Sequence, residues 1–125
     1  MAIVKNEIQE NENMVSYRKS VVHSIITLAT KEISGVASLN AGVSFVKRMF
    51  SKKYFKGIKL EYDKDHVFID VFLNVYFGYS VNDVAFKVQE NIKRSVESMT
   101  DFKVDSVNIH VVGIVFDSDQ EAAVI

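Results

Sequence analysis

Val67, Ile69, Val71, Leu73, Val75 and Phe77 fall at every second position without a gap, and only an extended strand puts such a series on one face. A helix, repeating about every 3.6 residues, would scatter them around its circumference. The strand therefore turns these six toward a core and presents Phe68, Asp70, Phe72, Asn74 and Tyr76 on its other side. Upstream, Gly57 to Tyr62 reads as an antiparallel partner, joined through the polar Asp63-Lys64-Asp65-His66 stretch.

A sheet with one apolar face needs a second layer, and two helical stripes supply it. Val22, Ile25, Ile26, Ala29 and Ile33 recur at spacings of three and four within Val15 to Ile33, and Gly35 is placed to close that helix. Val81, Val84, Ala85, Val88, Ile92, Val96 and Met99 define a second helix, with Ser80 and Asp83 as a capping pair. A last strand runs from Val104 to about Phe116, with Val107, Ile109 and Val111 inward and a bulge expected at Gly113, where the alternation loses its phase. Ile3 and Ile8 mark a further strand near the start. The pattern predicts an α+β two-layer sandwich, with two helices packed on one face of a small mixed β-sheet. The second helix joins two strands expected to be parallel.

With 125 residues and 48% apolar content the chain is long enough for one core, so residues 1–125 are read as a single domain with a frayed tail over 117–125. Fifteen basic residues against sixteen acidic ones leave no overall field to attract nucleic acid or an anionic membrane. There is no cysteine, which removes disulfides, thiolate nucleophiles and thiolate zinc sites and fits a reducing, cytoplasmic setting. The longest apolar run, Val111 to Phe116, falls far short of the roughly 20 residues of a membrane span.

No catalytic pattern survives inspection. His23, His66 and His110 have no metal-ligand spacing, and none of the five glycines belongs to a phosphate-binding loop. His110 and Asn108 share a strand face on which Asp70 and Asn74 are neighbours, but nothing there supplies an activated nucleophile. The expectation is a chain with no catalytic residues, no metal and no cofactor. Gly78, ahead of the second helix, is a turn residue before it is an anion site.

Two surfaces qualify for binding instead. Residues 36–56 read as a basic amphipathic loop or helix, in which Lys47, Arg48, Lys52, Lys53 and Lys56 interleave with Phe45, Met49, Phe50, Tyr54 and Phe55. Such a segment either caps the core with its aromatics or meets an acidic partner. On the outer sheet face, Phe68, Phe72 and Tyr76 form an aromatic row that suits a homodimer or partner interface. The same row invites comparison with base-stacking RNA platforms, though Asp70 among the rings would repel phosphate.

Several segments together resemble the alkaline shock protein 23 and Gls-type family of bacterial envelope-stress proteins. They are Lys56-Gly57-Ile58, Val88-Gln89-Glu90-Asn91-Ile92, Ser98-Met99-Thr100 and Val107-Asn108-Ile109-His110-Val111, with Ala29, Glu32, Ile33, Gly35 and Val36 upstream. Asp101 and Ser34 stand where the family pattern has glycine and proline. The resemblance implies a cytoplasmic protein of alkaline or envelope stress, able to self-associate and in some members held near the membrane by an anchoring protein partner. It brings no catalytic residues. Gln89, Glu90 and Asn91, off the apolar stripe, become candidates for partner contact, with local hydrogen bonding as the alternative for Gln89 and Asn91. The expected function is a non-catalytic interaction or scaffolding protein, and the alternative is an RNA-binding module using the basic segment and the outer aromatics.

Overall fold

The computed structural model describes residues 18–39 and 54–116. In chain order they form helix α1 over 18–31, strands β1 (Val36–Leu39), β2 (Tyr54–Phe55), β3 (Ile58–Asp63) and β4 (His66–Tyr76), helix α2 (Val81–Met99) and strand β5 (Lys103–Val115). β4 is the axis of the sheet. One of its edges takes β3 antiparallel along its first half and β1 antiparallel along its second; the other edge takes β5 in parallel. The mixed sheet under two helices is the α+β architecture read from the sequence.

The alternation in β4 is realised residue by residue: Val67, Ile69, Val71, Leu73 and Val75 are all fully buried. Val22, Ile25, Ile26 and Ala29 of α1 and Val84, Val88, Ile92 and Val96 of α2 join them in one cluster, so both helices cover the same sheet face. Each valine, leucine or isoleucine among them contributes roughly 1.5–3 kcal/mol by leaving water. Phe77 departs from the series. The strand stops at Tyr76, and Phe77 stands half exposed, stacked on Phe116 at 4.6 Å between ring centroids. Val81 and Met99, the ends of the α2 stripe, are likewise exposed, because a helix of 19 residues overhangs the sheet beneath it.

The turns follow local chemistry. Lys56 and Gly57 both have positive φ, 51° and 84°, as the two-residue hairpin between β2 and β3 requires. The Ser80 hydroxyl accepts from the Asp83 amide at 3.4 Å and caps α2 as expected. Gly35, at φ 101°, ends the turn after α1 and feeds its carbonyl to the Tyr76 amide at 2.8 Å, which opens β1 beside β4. β1 and β2 were not foreseen. They occupy the two ends of the 36–56 segment, so its helical alternative is excluded over 36–39 and at Tyr54, Phe55 and Lys56, and residues 40–53 lie outside the described residues. The strand expected around Ile3 to Ile8 and the tail over 117–125 lie outside them too.

The register of β4 on β5 skips Asp105 and Val112. The second skip is the expected bulge, one residue before Gly113; the first has no signature in the sequence. Ile109 and Val111 pack against the core but stay half-buried, because β5 lies at the border of the sheet.

Candidate functional site

The outer sheet face brings together the polar residues that share it. His110 Nε2 lies 3.0 Å from Asp70 Oδ1, the Asn108 amide donates to the same oxygen at 3.3 Å, and the imidazole stacks on Phe72 at 4.6 Å. Asn74 donates to the Ser38 hydroxyl at 3.1 Å. His110 is nearly half exposed, with no hydroxyl bonded to the ring among the described residues. A histidine held this way is oriented by the carboxylate and the ring beside it. Phe68, Phe72 and Tyr76 are half-buried along the same face, in the row the alternation predicts.

At the far end of that face His66 Nδ1 meets Asp105 Oδ1 at 2.6 Å, and Asp65 lies 3.6 Å from Nε2. The hydrogen bond to Asp105 raises the His66 pKa above the usual 6.5. The bulge at Asp105 makes this contact by displacing one residue from the ladder. No group of three or more His, Asp or Glu side chains that could hold a metal occurs among the described residues.

Gln89 and Asn91 are both engaged inside the molecule. Gln89 Nε2 donates to the Val107 carbonyl at 2.7 Å, and Asn91 Nδ2 donates to the Ala29 carbonyl at 2.8 Å and to Glu32 at 3.1 Å. Glu90, between them, faces solvent. Of the basic residues, Lys56 occupies the turn before β3, and Lys47, Arg48, Lys52 and Lys53 lie outside the described residues. An open cleft between α1 and the sheet edge is lined by His23, Thr27, Lys31, Leu39, Lys56 and Leu60. A second, at the start of α1, is lined by Arg18, Lys19, Tyr62, Lys64, Met99 and Phe102. The Tyr62 hydroxyl is buried there without a hydrogen-bond partner among the described residues, and burial pushes its pKa up to about 12.

The largest feature was missed by sequence reasoning. Of the ten exposed large apolar side chains among the described residues, eight gather where β4 exits, α2 begins and β5 ends: Phe77, Tyr79, Val81, Phe86, Val112, Ile114, Val115 and Phe116. The sign of it was present, since Ser106 to Phe116 contains no lysine, arginine, aspartate or glutamate. Periodicity turned Phe77 and Val81 toward the core and gave no side to the other six.

Comparison with known proteins agrees with the sequence resemblance. The model of the alkaline shock protein 23 family, described by a cell envelope-related function, matches residues 7–116. An uncharacterized protein of Bacillus subtilis, YqhY, is 37% identical over 83% of this chain and 78% of its own length. An uncharacterized protein of Streptococcus pyogenes, Spy1535, is 32% identical over 76% of this chain and 74% of its own. Among solved structures, two variants of the MamM CTD align with a TM-score of 0.48 at 14% identity, covering 76% of this chain and 94% and 96% of theirs.

Proposed function

This chain belongs to the alkaline shock protein 23 family, whose function is cell envelope-related, and from that membership we propose that it is a non-catalytic interaction module that binds other proteins. One observation carries the reading: the apolar end built by Phe86, Val112, Ile114, Val115 and Phe116, each at least 36% exposed. Exposed apolar side chains in water cost free energy that a protein partner removes by covering them. The Asp70–His110 pair supports the same reading, because its bonds are spent on orientation at an open surface. No helix among the described residues is long and apolar enough to cross a membrane, so in this reading membrane contact falls to an anchoring partner, with the chain on the cytoplasmic side.

Affinity capture from lysate by the tagged chain, with and without nuclease, tests the proposal against the paired substitutions Val112→Lys and Ile114→Lys. The expected result is a reproducible set of proteins that survives nuclease and is lost with the paired variant. Capture that disappears with nuclease and with charge reversal at Lys52, Lys53 and Lys56 would instead establish nucleic-acid binding and overturn the reading.

A further inference from the structure

We propose that the cleft between the start of α1, the β3–β4 turn and the end of α2 binds a small aromatic monocarboxylate. The inference goes beyond the interaction-module reading and uses none of the apolar end on which that reading rests. Tyr62, Phe102 and Met99 supply the apolar lining of the cleft, and Arg18, Lys19 and Lys64 stand exposed around it. Its volume, about 670 Å³, falls within the roughly 300–1,000 Å³ of sites that bury a small ligand. Met99, with 68% of its surface in water, is apolar area that such a ligand would cover.

Two observations select the occupant. The first is the Tyr62 hydroxyl, buried with no hydrogen-bond partner among the described residues. A buried hydroxyl left this way carries a cost that an entering acceptor removes. Burial pushes its pKa up to about 12, so it keeps its proton at neutral pH and offers a donor, which a carboxylate oxygen satisfies and a cation does not. Lys19, whose ammonium lies 4.9 Å above the Tyr62 ring, is exposed on a flexible stem and can swing aside to admit the ligand.

The second observation is charge. Three cations, Arg18, Lys19 and Lys64, line the cleft with two carboxylates, Asp65 and Asp101, which leaves one net positive charge. Asp65 also lies 3.6 Å from His66 Nε2, while Arg18 and Lys64 have no ion-pair partner among the described residues. One net positive charge suits a single carboxylate, which the Arg18 fork can grip with two parallel bonds, and not the several charges of a nucleotide phosphate. The lining favours a flat body on that carboxylate. Tyr62 and Phe102 offer two rings tilted at 58° with centroids 5.2 Å apart, and Met99 a thioether, and each of these meets the edge or face of an aromatic ring well.

Titration of the full chain with 2-naphthoate, followed by NMR, tests the site, and 2-naphthamide supplies the same rings without the charge. The expected result is a Kd of about 1 mM or tighter, with amide shifts at Tyr62, Met99 and Phe102. 2-Naphthamide is expected to bind at least about tenfold more weakly. Tyr62→Phe, which keeps the ring and removes only the hydroxyl, weakens 2-naphthoate at least about fivefold, and the paired change Arg18→Gln, Lys64→Gln does the same. No shift at about ten times the expected Kd overturns the proposal. Shifts that gather at Phe86 and Val112 instead also overturn it, since they report general adhesion to exposed apolar surface. Equal binding of 2-naphthamide, or a Tyr62→Phe variant that binds as wild type does, sinks it as well, because then the cations or the hydroxyl do not select the ligand.

Discussion

Asn91, in the middle of α2, donates its side-chain amide to the main-chain carbonyl of Ala29 in the last turn of α1, at 2.8 Å. The carbonyls of a helix's final turn have no partner within the helix, and this bond satisfies one of them while fixing the two helices against each other. Asn91→Ala removes the donor and leaves the half-buried carbonyl unpaired, at a cost of about 1–2 kcal/mol. Glu90→Ala, one residue away and facing solvent, is expected to stay within about 0.5 kcal/mol of wild type. Urea denaturation of the two variants separates these effects. Equal midpoints would show that the bond has no structural weight.

Two glycines look alike in sequence and differ in what a methyl group would meet. At Gly35 the φ of 101° is strained for any side chain, and an added Cβ would stand 2.7 Å from Val84 Cγ2 and 2.8 Å from Tyr79 Cδ1. Gly35→Ala should therefore cost at least about 2 kcal/mol, from the backbone and the crowding together. At Gly113 the single close atom is the tip of the Asn74 side chain, at 2.7 Å, which can swing away. Gly113→Ala is expected to cost less than about 1 kcal/mol. Thermal unfolding ranks the pair, and a reversed ranking would refute this account of the Gly35 turn.

These contrasts mark what periodicity can and cannot reveal. The alternation from Val67 to Val75 located the axis of the sheet, and the stripe from Val84 to Val96 located the helix above it, because burial imposes a repeat on the residues it selects. Repeats say nothing about where a strand leaves its cover. Phe77, Ile114 and Val115 continue an apolar run past the reach of α2, and only the three-dimensional arrangement shows them at the surface. β1 and β2, four and two residues long, are too short to display a period. The Asp70–His110 contact was legible as a shared face, whereas the His66–Asp105 contact depends on a bulge that shifts Asp105 out of register.

Tyr62 poses a problem of the opposite kind, a polar atom where none is served. Its ring is held by Phe102, 5.2 Å away between centroids, and by the Lys19 ammonium 4.9 Å above it, while its hydroxyl is buried without a partner among the described residues. Tyr62→Phe keeps both ring contacts and removes the unserved group. The expected outcome is a stability equal to wild type or higher by about 1 kcal/mol, measured by urea denaturation. A loss of more than about 1 kcal/mol would reveal a hydrogen bond to this hydroxyl from another part of the chain.

His66 makes stability depend on pH in a direction its surroundings dictate. The hydrogen bond to Asp105 at 2.6 Å favours the protonated ring, and the nearby charges of Asp105 and Asp65 add to it, outweighing desolvation and Lys103. The pKa in the folded chain is thus above the usual 6.5, and folding is coupled to proton uptake at this ring. Below the unfolded value both states are protonated and the folded state keeps the full benefit of the pair. As pH rises through the folded value the ring is neutralised and the benefit is lost. His66→Gln should therefore destabilise the protein more below about pH 6 than above about pH 8. In wild type an NMR titration of the His66 ring should give a midpoint above 6.5, and Asp105→Asn should bring it down. A wild-type midpoint at or below 6.5 would mean that the Asp105 contact does not persist in solution.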